Sequence, residues 1–212
     1  MPTPPPPPPA PAADPRIAEV LAFWLGAEVP TDASALTRQS LWFTKSDAVD
    51  ADIARRFGAL VDEALAGRLD TWARGPWGSL ALAIVLDQFT RNVHRGTPRS
   101  FAGDAQALAL ALQAIAEGHD RALPTVARTF LYLPLEHAED PALQARSVQA
   151  FAELAAEATP DTQALLASAL DYARQHQDVI ARFGRFPHRN AILGRESTAE
   201  ERAYLAQPGA GF

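Results

Sequence analysis

Trp77-Gly-Ser-Leu-Ala-Leu-Ala-Ile-Val-Leu-Asp-Gln-Phe-Thr-Arg-Asn-Val93 is the stretch on which the fold turns. Its first half, Leu80 to Leu86, is apolar on every side of a helix, and its second half turns polar. A helix without a polar face is stable only when other elements surround it. The segment is therefore the expected centre of the molecule, ended by Gly96 and Pro98.

Working outward, apolar residues recur at helical spacing almost everywhere, and no run of β-branched residues alternates as a strand would. Asp14-Pro15 reads as an N-cap with proline at the first helical position, opening a helix through Leu25 that Gly26 closes. Trp42 and Phe43 precede a second helix over Asp47 to Ala66, ended by Gly67. Further helices are expected over Asp104 to Glu117, Thr125 to Leu133, Pro141 to Glu157 and Thr162 to Arg182. Ser197 to Glu200 and Thr198 to Glu201 both have capping-box spacing, which marks a last helix to near Ala206. The fold class is all-α, with short connections that favour antiparallel neighbours. The expected architecture is a helical bundle or α-solenoid of about eight helices.

With 212 residues, 48% of them hydrophobic, the chain can bury one substantial core. Residues 1–13 read as a disordered, proline-rich tail and 14–212 as a single helical domain. Having no cysteine excludes disulfides, thiolate nucleophiles and cysteine-ligated metal or iron-sulfur sites. The tail lacks the basic and apolar regions of a secretory signal, and Leu80 to Leu86 is far short of the roughly 20 residues that span a bilayer. A cytoplasmic protein with no membrane partner is expected. The net charge of −6 argues against nucleic-acid binding.

Three polar constellations stand out. In Leu86 to Gly96, Asp87, Arg91 and His94 fall on one helix face, flanked by Gln88 and Arg95, with Asn92 alongside. An i,i+4 Asp87–Arg91 pair on a solvated helix end is one reading. The apolar residues upstream favour another, in which the arginine emerges from the interior and needs a partner. In Phe130 to Pro141, Asp140 is an N-cap, while Glu136, His137 and Glu139 offer an imidazole and carboxylates for acid–base work. No His-x-x-x-His pair supports a metal site there, and neither metal nor cofactor is expected.

The third is Ala181 to Arg195, in which Arg182, Arg185, His188, Arg189, Asn190 and Arg195 are interleaved with phenylalanines, and His176 lies two turns upstream. Pro187 is expected to break the helix near Phe186, leaving His188, Arg189 and Asn190 on a turn. Arginine with asparagine and backbone N–H groups is suited to holding a carboxylate or phosphate. Equally, the arginines can pair with Asp87, Glu136 and Glu139 and staple the helices together.

At these same residues the chain resembles a bacterial family catalogued as domain of unknown function 924. The resemblance is carried by Val20 to Gly26, Trp42-Phe43, Leu86 to Gly96, Phe130 to Pro134, His137 to Asp140 with Gln144, and Arg182 to Asn190 with Leu193-Gly-Arg195. It implies an all-α, tetratricopeptide-like fold and no particular activity. Three positions depart from the family's pattern: Thr90 replaces proline, His94 an aromatic residue and Ala138 serine, so His94 is a poor catalytic candidate.

The leading expectation is a small anionic ligand, carboxylate or phosphate, held by Asp87, Gln88, Arg91, Asn92, Arg95, Glu136, Arg182, Arg185, His188, Arg189, Asn190 and Arg195. In an enzymatic version His137 or Glu139 moves a proton while arginines stabilise developing charge, as in hydrolysis of an ester or phosphoester. The alternative is an adaptor that grips an acidic peptide without chemistry. The first reading requires the three constellations to converge, with Arg91, His137 and Arg185 lining one cavity. No Gly-x-Ser-x-Gly, phosphate-loop or dinucleotide motif occurs.

Overall fold

The computed structural model describes residues 14–211, so the proline-rich segment lies outside the described residues. Within them the chain is all helical and has no strand. In chain order the helices are α1 (Pro15–Leu25), α2 (Asp32–Leu36), α3 (Gln39–Phe43), α4 (Asp47–Leu65), α5 (76–93), α6 (Asp104–Ala116), α7 (Thr125–Glu136), α8 (Pro141–Ala156), α9 (Gln163–Phe183) and α10 (Ala199–Leu205). Short 3-10 turns punctuate the loops. Among the described residues no helix is long and apolar enough to cross a membrane.

The central position of α5 follows from its composition. Leu80 to Leu86 are all buried, and they pack with Val20, Leu21 and Trp24 of α1, Phe57 and Val61 of α4, and Val126, Phe130 and Leu131 of α7. Phe89 continues the same core, stacked on Phe57 at 4.7 Å and edge-on to Trp24 at 5.5 Å. Beyond this, α8 and α9 pack on one another and on α7 around Tyr132, Phe151, Leu154 and Leu166. Short connections such as that between α8 and α9 favour antiparallel neighbours.

Four local details depart from the sequence reading. Trp42 and Phe43 belong to α3, where Trp42 donates from Nε1 to the Trp24 carbonyl at 2.9 Å and packs on Phe130. The short α2 was not foreseen; its Asp32 accepts from the Val126 N–H at 2.8 Å and so caps α7. Helix α7 runs through Pro134 to Glu136, because a proline in the last turn forfeits only one ladder bond there. Helix α9 stops at Phe183, since Gly184 adopts the left-handed conformation (φ 69°) before Pro187 can act.

Inside α5 the ladder changes pitch. Ile84–Phe89 is a π-helical segment between the α-helical Pro76–Ala83 and Thr90–Val93. At its end, the Thr90 backbone N–H and hydroxyl both reach the Val85 carbonyl, the hydroxyl at 3.0 Å. Widened turns of this kind recur beside functional sites, because they re-aim the side chains that follow.

Asp14 fastens α1 to the rest of the molecule. Its carboxylate caps Arg16 N, accepts from the Arg16 guanidinium at 2.7 Å and from Trp72 Nε1 at 3.1 Å, while Arg16 reaches Glu63 of α4 at 3.0 Å. The hydrogen bond from Arg16, outweighing a smaller desolvation cost, lowers its pKa from 3.8 to about 2. Asp14→Ala is expected to cost about 1–2 kcal/mol in urea unfolding at neutral pH. Because the native pKa is the lower one, this contribution is complete above the unfolded value of 3.8 and lost as pH falls toward 2. A stability gap between parent and variant that does not narrow over that window would count against the assignment.

Candidate functional site

The polar half of α5 begins with Asp87, which has no solvent exposure. A buried carboxylate must be paired, and three side chains meet it. His137 Nδ1 is 2.7 Å from Oδ1, Gln88 Nε2 is 2.5 Å from Oδ2, and Arg91 Nη2 stands 3.3 Å from Oδ1. Burial alone would raise the Asp87 pKa; the charge of Arg91, with His137 and Gln88, overcomes this and holds it well below the usual carboxylate range. An ionised carboxylate only accepts, so His137 carries its proton on Nδ1 and its lone pair on Nε2. Burial lowers the His137 pKa, with Asp87 opposing, and keeps the ring neutral at physiological pH.

A second carboxylate, Asp104, extends the network. It stands at the start of α6, where Oδ1 accepts from Arg91 Nη1 at 2.7 Å and Oδ2 from Arg189 Nη1 at 3.1 Å. Gly103 makes this approach feasible, because a Cβ there would lie 2.1 Å from the Leu86 carbonyl oxygen in the π segment. Arg189 also donates from Nη2 to the His137 carbonyl at 3.0 Å, and its guanidinium lies over Phe101 and Phe186. Asp104 was read in the sequence only as a helix start; nothing local distinguishes a cap from a bridge between two arginines.

Around His137 the chain makes a turn held by Gln144, whose amide donates to the Glu136 and Ala138 carbonyls at 2.6 and 2.8 Å. Asp140 caps α8 as expected. Glu139 accepts from Phe186 N at 2.8 Å and from both terminal nitrogens of Arg195. Although burial opposes it, Arg195 and the Phe186 N–H hold the Glu139 pKa below its ordinary value. Glu136 is buried, and burial with the nearby Asp87 charge pushes its pKa up to about 8. Its Oε1 lies 3.3 Å from Nδ1 of His176 on α9, a ring whose pKa burial drives down to about 3.

The predicted site residues thus separate. Asp87, Gln88, Arg91, Glu136, His137, Glu139, Arg189 and Arg195 come together from α5, the end of α7 and the segment after α9, with His188 close by against Phe186. Asn92 and Arg95 instead bind Asp50 of α4. Arg182 pairs with Glu200, and Arg185 and Asn190 with Glu201, at the side of α10. The π turn and the glycine stop of α9 send these side chains to other neighbours, which helical-wheel geometry did not foresee.

A cavity of about 280 Å³ lies over the network, lined by Asp104, Leu108, His137, Glu139, Asp140 and Arg189 among others. Of the trio expected to line one cavity, His137 lines this one, and Arg91 and Arg185 are not among its lining residues. A larger cleft of about 550 Å³ between α5, α6 and the 3-10 turn Asp70–Arg74 contains none of the predicted site residues, and its lining lacks a concentrated set of acid–base groups. The smaller cavity is therefore the candidate site. Of the two readings open for the arginines, pairing within the protein is what the geometry displays: Arg91, Arg95, Arg182, Arg185, Arg189 and Arg195 each pair with a protein carboxylate.

Comparison with known proteins places the same residues in context. The family model described as "Bacterial protein of unknown function (DUF924)" matches residues 20–209. The structure of a protein of unknown function, ATU0120 from Agrobacterium tumefaciens, is 39% identical, with a TM-score of 0.76 over 90% of this chain and 97% of that one. No curated protein matches.

Two substitutions test this construction. Asp87→Ala leaves Arg91 without its buried partner and is expected to cost about 3–5 kcal/mol in chemical denaturation. Gly103→Ala forces α6 away from the Leu86 carbonyl and is expected to cost about 1–3 kcal/mol. A neutral outcome for Gly103→Ala would show that the approach of α6 to α5 is not as close as described.

Proposed function

The chain belongs to the DUF924 family of bacterial proteins of unknown function, and we propose that it binds a small carboxylate or phosphate ligand in the cavity over His137 and Arg189. The observation that carries this reading is the pairing of the two residues on one wall. His137, fixed by Asp87 at 2.7 Å, offers the Nε2 lone pair, and Arg189 brings its guanidinium to the lining of the same cavity. A volume of about 280 Å³ suits a compact ligand better than a length of acidic peptide, which would have to lie across it.

If the ligand is an ester or phosphoester, His137 is the proton acceptor for an attacking water, and Arg189 balances the negative charge that develops. Glu139 is unsuited to that task, being held as a carboxylate by Arg195 and the Phe186 N–H. A second reading has a specific observation in its favour: the pairing of each arginine with a protein carboxylate fits a network that staples α5, α6 and the segment after α9 together.

Thermal melts of the parent, Arg189→Ala and Arg182→Ala with phosphate, acetate and citrate separate the two. For a ligand site, an anion at 100 times its Kd stabilises the parent by about 2.7 kcal/mol. Arg189→Ala loses that response and Arg182→Ala, at an exposed pair with Glu200, retains it. For a staple, no anion shifts the parent, and Arg189→Ala costs about 3–5 kcal/mol by stranding charge.

A further inference from the structure

We propose that Glu136, His137 and His176 form a binding site for one divalent transition-metal ion. One donor atom from each lies within 4.8 Å of the other two, in a place assembled from the last turn of α7, its C-cap and the middle of α9. Glu136 and His176 are 4% and 5% exposed, so the donors are screened from bulk water.

The independent observation is the state of Glu136. Its Oε2 is buried with no hydrogen-bond partner, and among the described residues no arginine or lysine pairs with its carboxylate. Every other carboxylate of the network has a guanidinium within reach. A buried carboxyl oxygen with no hydrogen-bond partner is costly, and a divalent ion held between this carboxyl and two imidazoles displaces its proton and satisfies it.

The surroundings supply what metal-binding histidines need. His137 Nδ1 bonds to the Asp87 carboxylate and His176 Nδ1 lies 2.9 Å from the Tyr172 carbonyl. A second hydrogen bond to a carboxylate or backbone carbonyl orients a ligating ring and makes its other nitrogen more basic. Two imidazoles and one carboxylate suit zinc, manganese, iron or cobalt and not calcium or magnesium, which take oxygen shells. Zinc–ligand bonds near 2.0–2.1 Å bring tetrahedral donors to about 3.4 Å apart, so the three donors move closer together when an ion is held. Three protein donors leave a coordination position open, the pattern of catalytic and not structural sites.

The assignment stands independently of the anion reading but shares His137 with it. A bound ion takes the Nε2 lone pair, so His137 serves as ligand in the loaded protein and as proton acceptor only in the metal-free one. The open coordination position then offers a water or an anion a second point of attachment beside Arg189.

The test uses the full, tag-free chain, stripped with chelator and dialysed, then titrated with Zn²⁺ and Mn²⁺ against a chromophoric chelator. One equivalent per chain is expected, undisplaced by excess Mg²⁺, with a Co²⁺ derivative showing the visible absorption of a low-coordinate site. Glu136→Gln and His176→Ala are expected to weaken uptake at least 100-fold, because removing a ligand costs more than the 10–100-fold typical of outer-shell changes. His94→Ala is expected to bind like the parent. Circular dichroism checks that each variant is folded; should His176→Ala fail, the near-isosteric Glu136→Gln and the Co²⁺ spectrum of the parent still decide. Absence of stoichiometric uptake by the parent, a Co²⁺ spectrum identical to the free ion, or uptake retained by folded Glu136→Gln overturns the site. Anion melts run on the stripped protein report on the pocket separately, so either assignment can fail alone.

Discussion

Burying the Asp87 carboxylate at the end of an otherwise apolar helix segment is the constraint from which the rest of the charged architecture follows. An ionised group at zero exposure has to be met by donors from several directions. Gln88 and Arg91 come from the same helix, and His137 comes from the end of α7. Arg91 then needs Asp104, Asp104 takes Arg189, and Arg189 closes back on the His137 carbonyl. The result is a ring of charges in which each member is oriented by two others.

Backbone features, as well as the charges themselves, position this ring. The π segment re-aims the polar half of α5, Gly103 brings the start of α6 against it, and Gln144 fixes the turn that carries Glu136 and His137. Such constraints are insensitive to ionic strength, while the ion pairs they position are partly buried and weakly screened. The side chains are thereby placed by the fold itself, so that binding of the proposed ligand spends little on ordering them.

The contrast within the network is chemically informative. Asp87, Asp104 and Glu139 are neutralised by arginines, whereas Glu136 has only His176, and His137 turns its second nitrogen away from Asp87. The arginines balance the charge of three carboxylates, and Glu136, with its raised pKa, stands outside that balance. The same geometry that holds Glu139 between Arg195 and the Phe186 N–H leaves His137 Nε2 without a bond to Asp87, which is the basis of the roles proposed for it.

Sequence alone determined the helical class, the burial of Leu80 to Leu86, the caps at Asp14, Asp140 and Thr198, and the kinds of residue that gather at the site. These are set by interactions within a few residues, namely apolar periodicity, side-chain caps and the φ preferences of proline and glycine. Which charges actually meet was a matter for the tertiary structure. Asn92, Arg95, Arg182, Arg185 and Asn190 carry the same signals as Arg91 and Arg189, yet they find Asp50, Glu200 and Glu201 elsewhere. Asp104 and His176 enter from helices distant in sequence. A pairing between remote side chains depends on where two helices are brought together, and the widened turn of α5 and the missing Cβ at Gly103, which bear on that placement around Asp87 and Asp104, leave no mark in local periodicity.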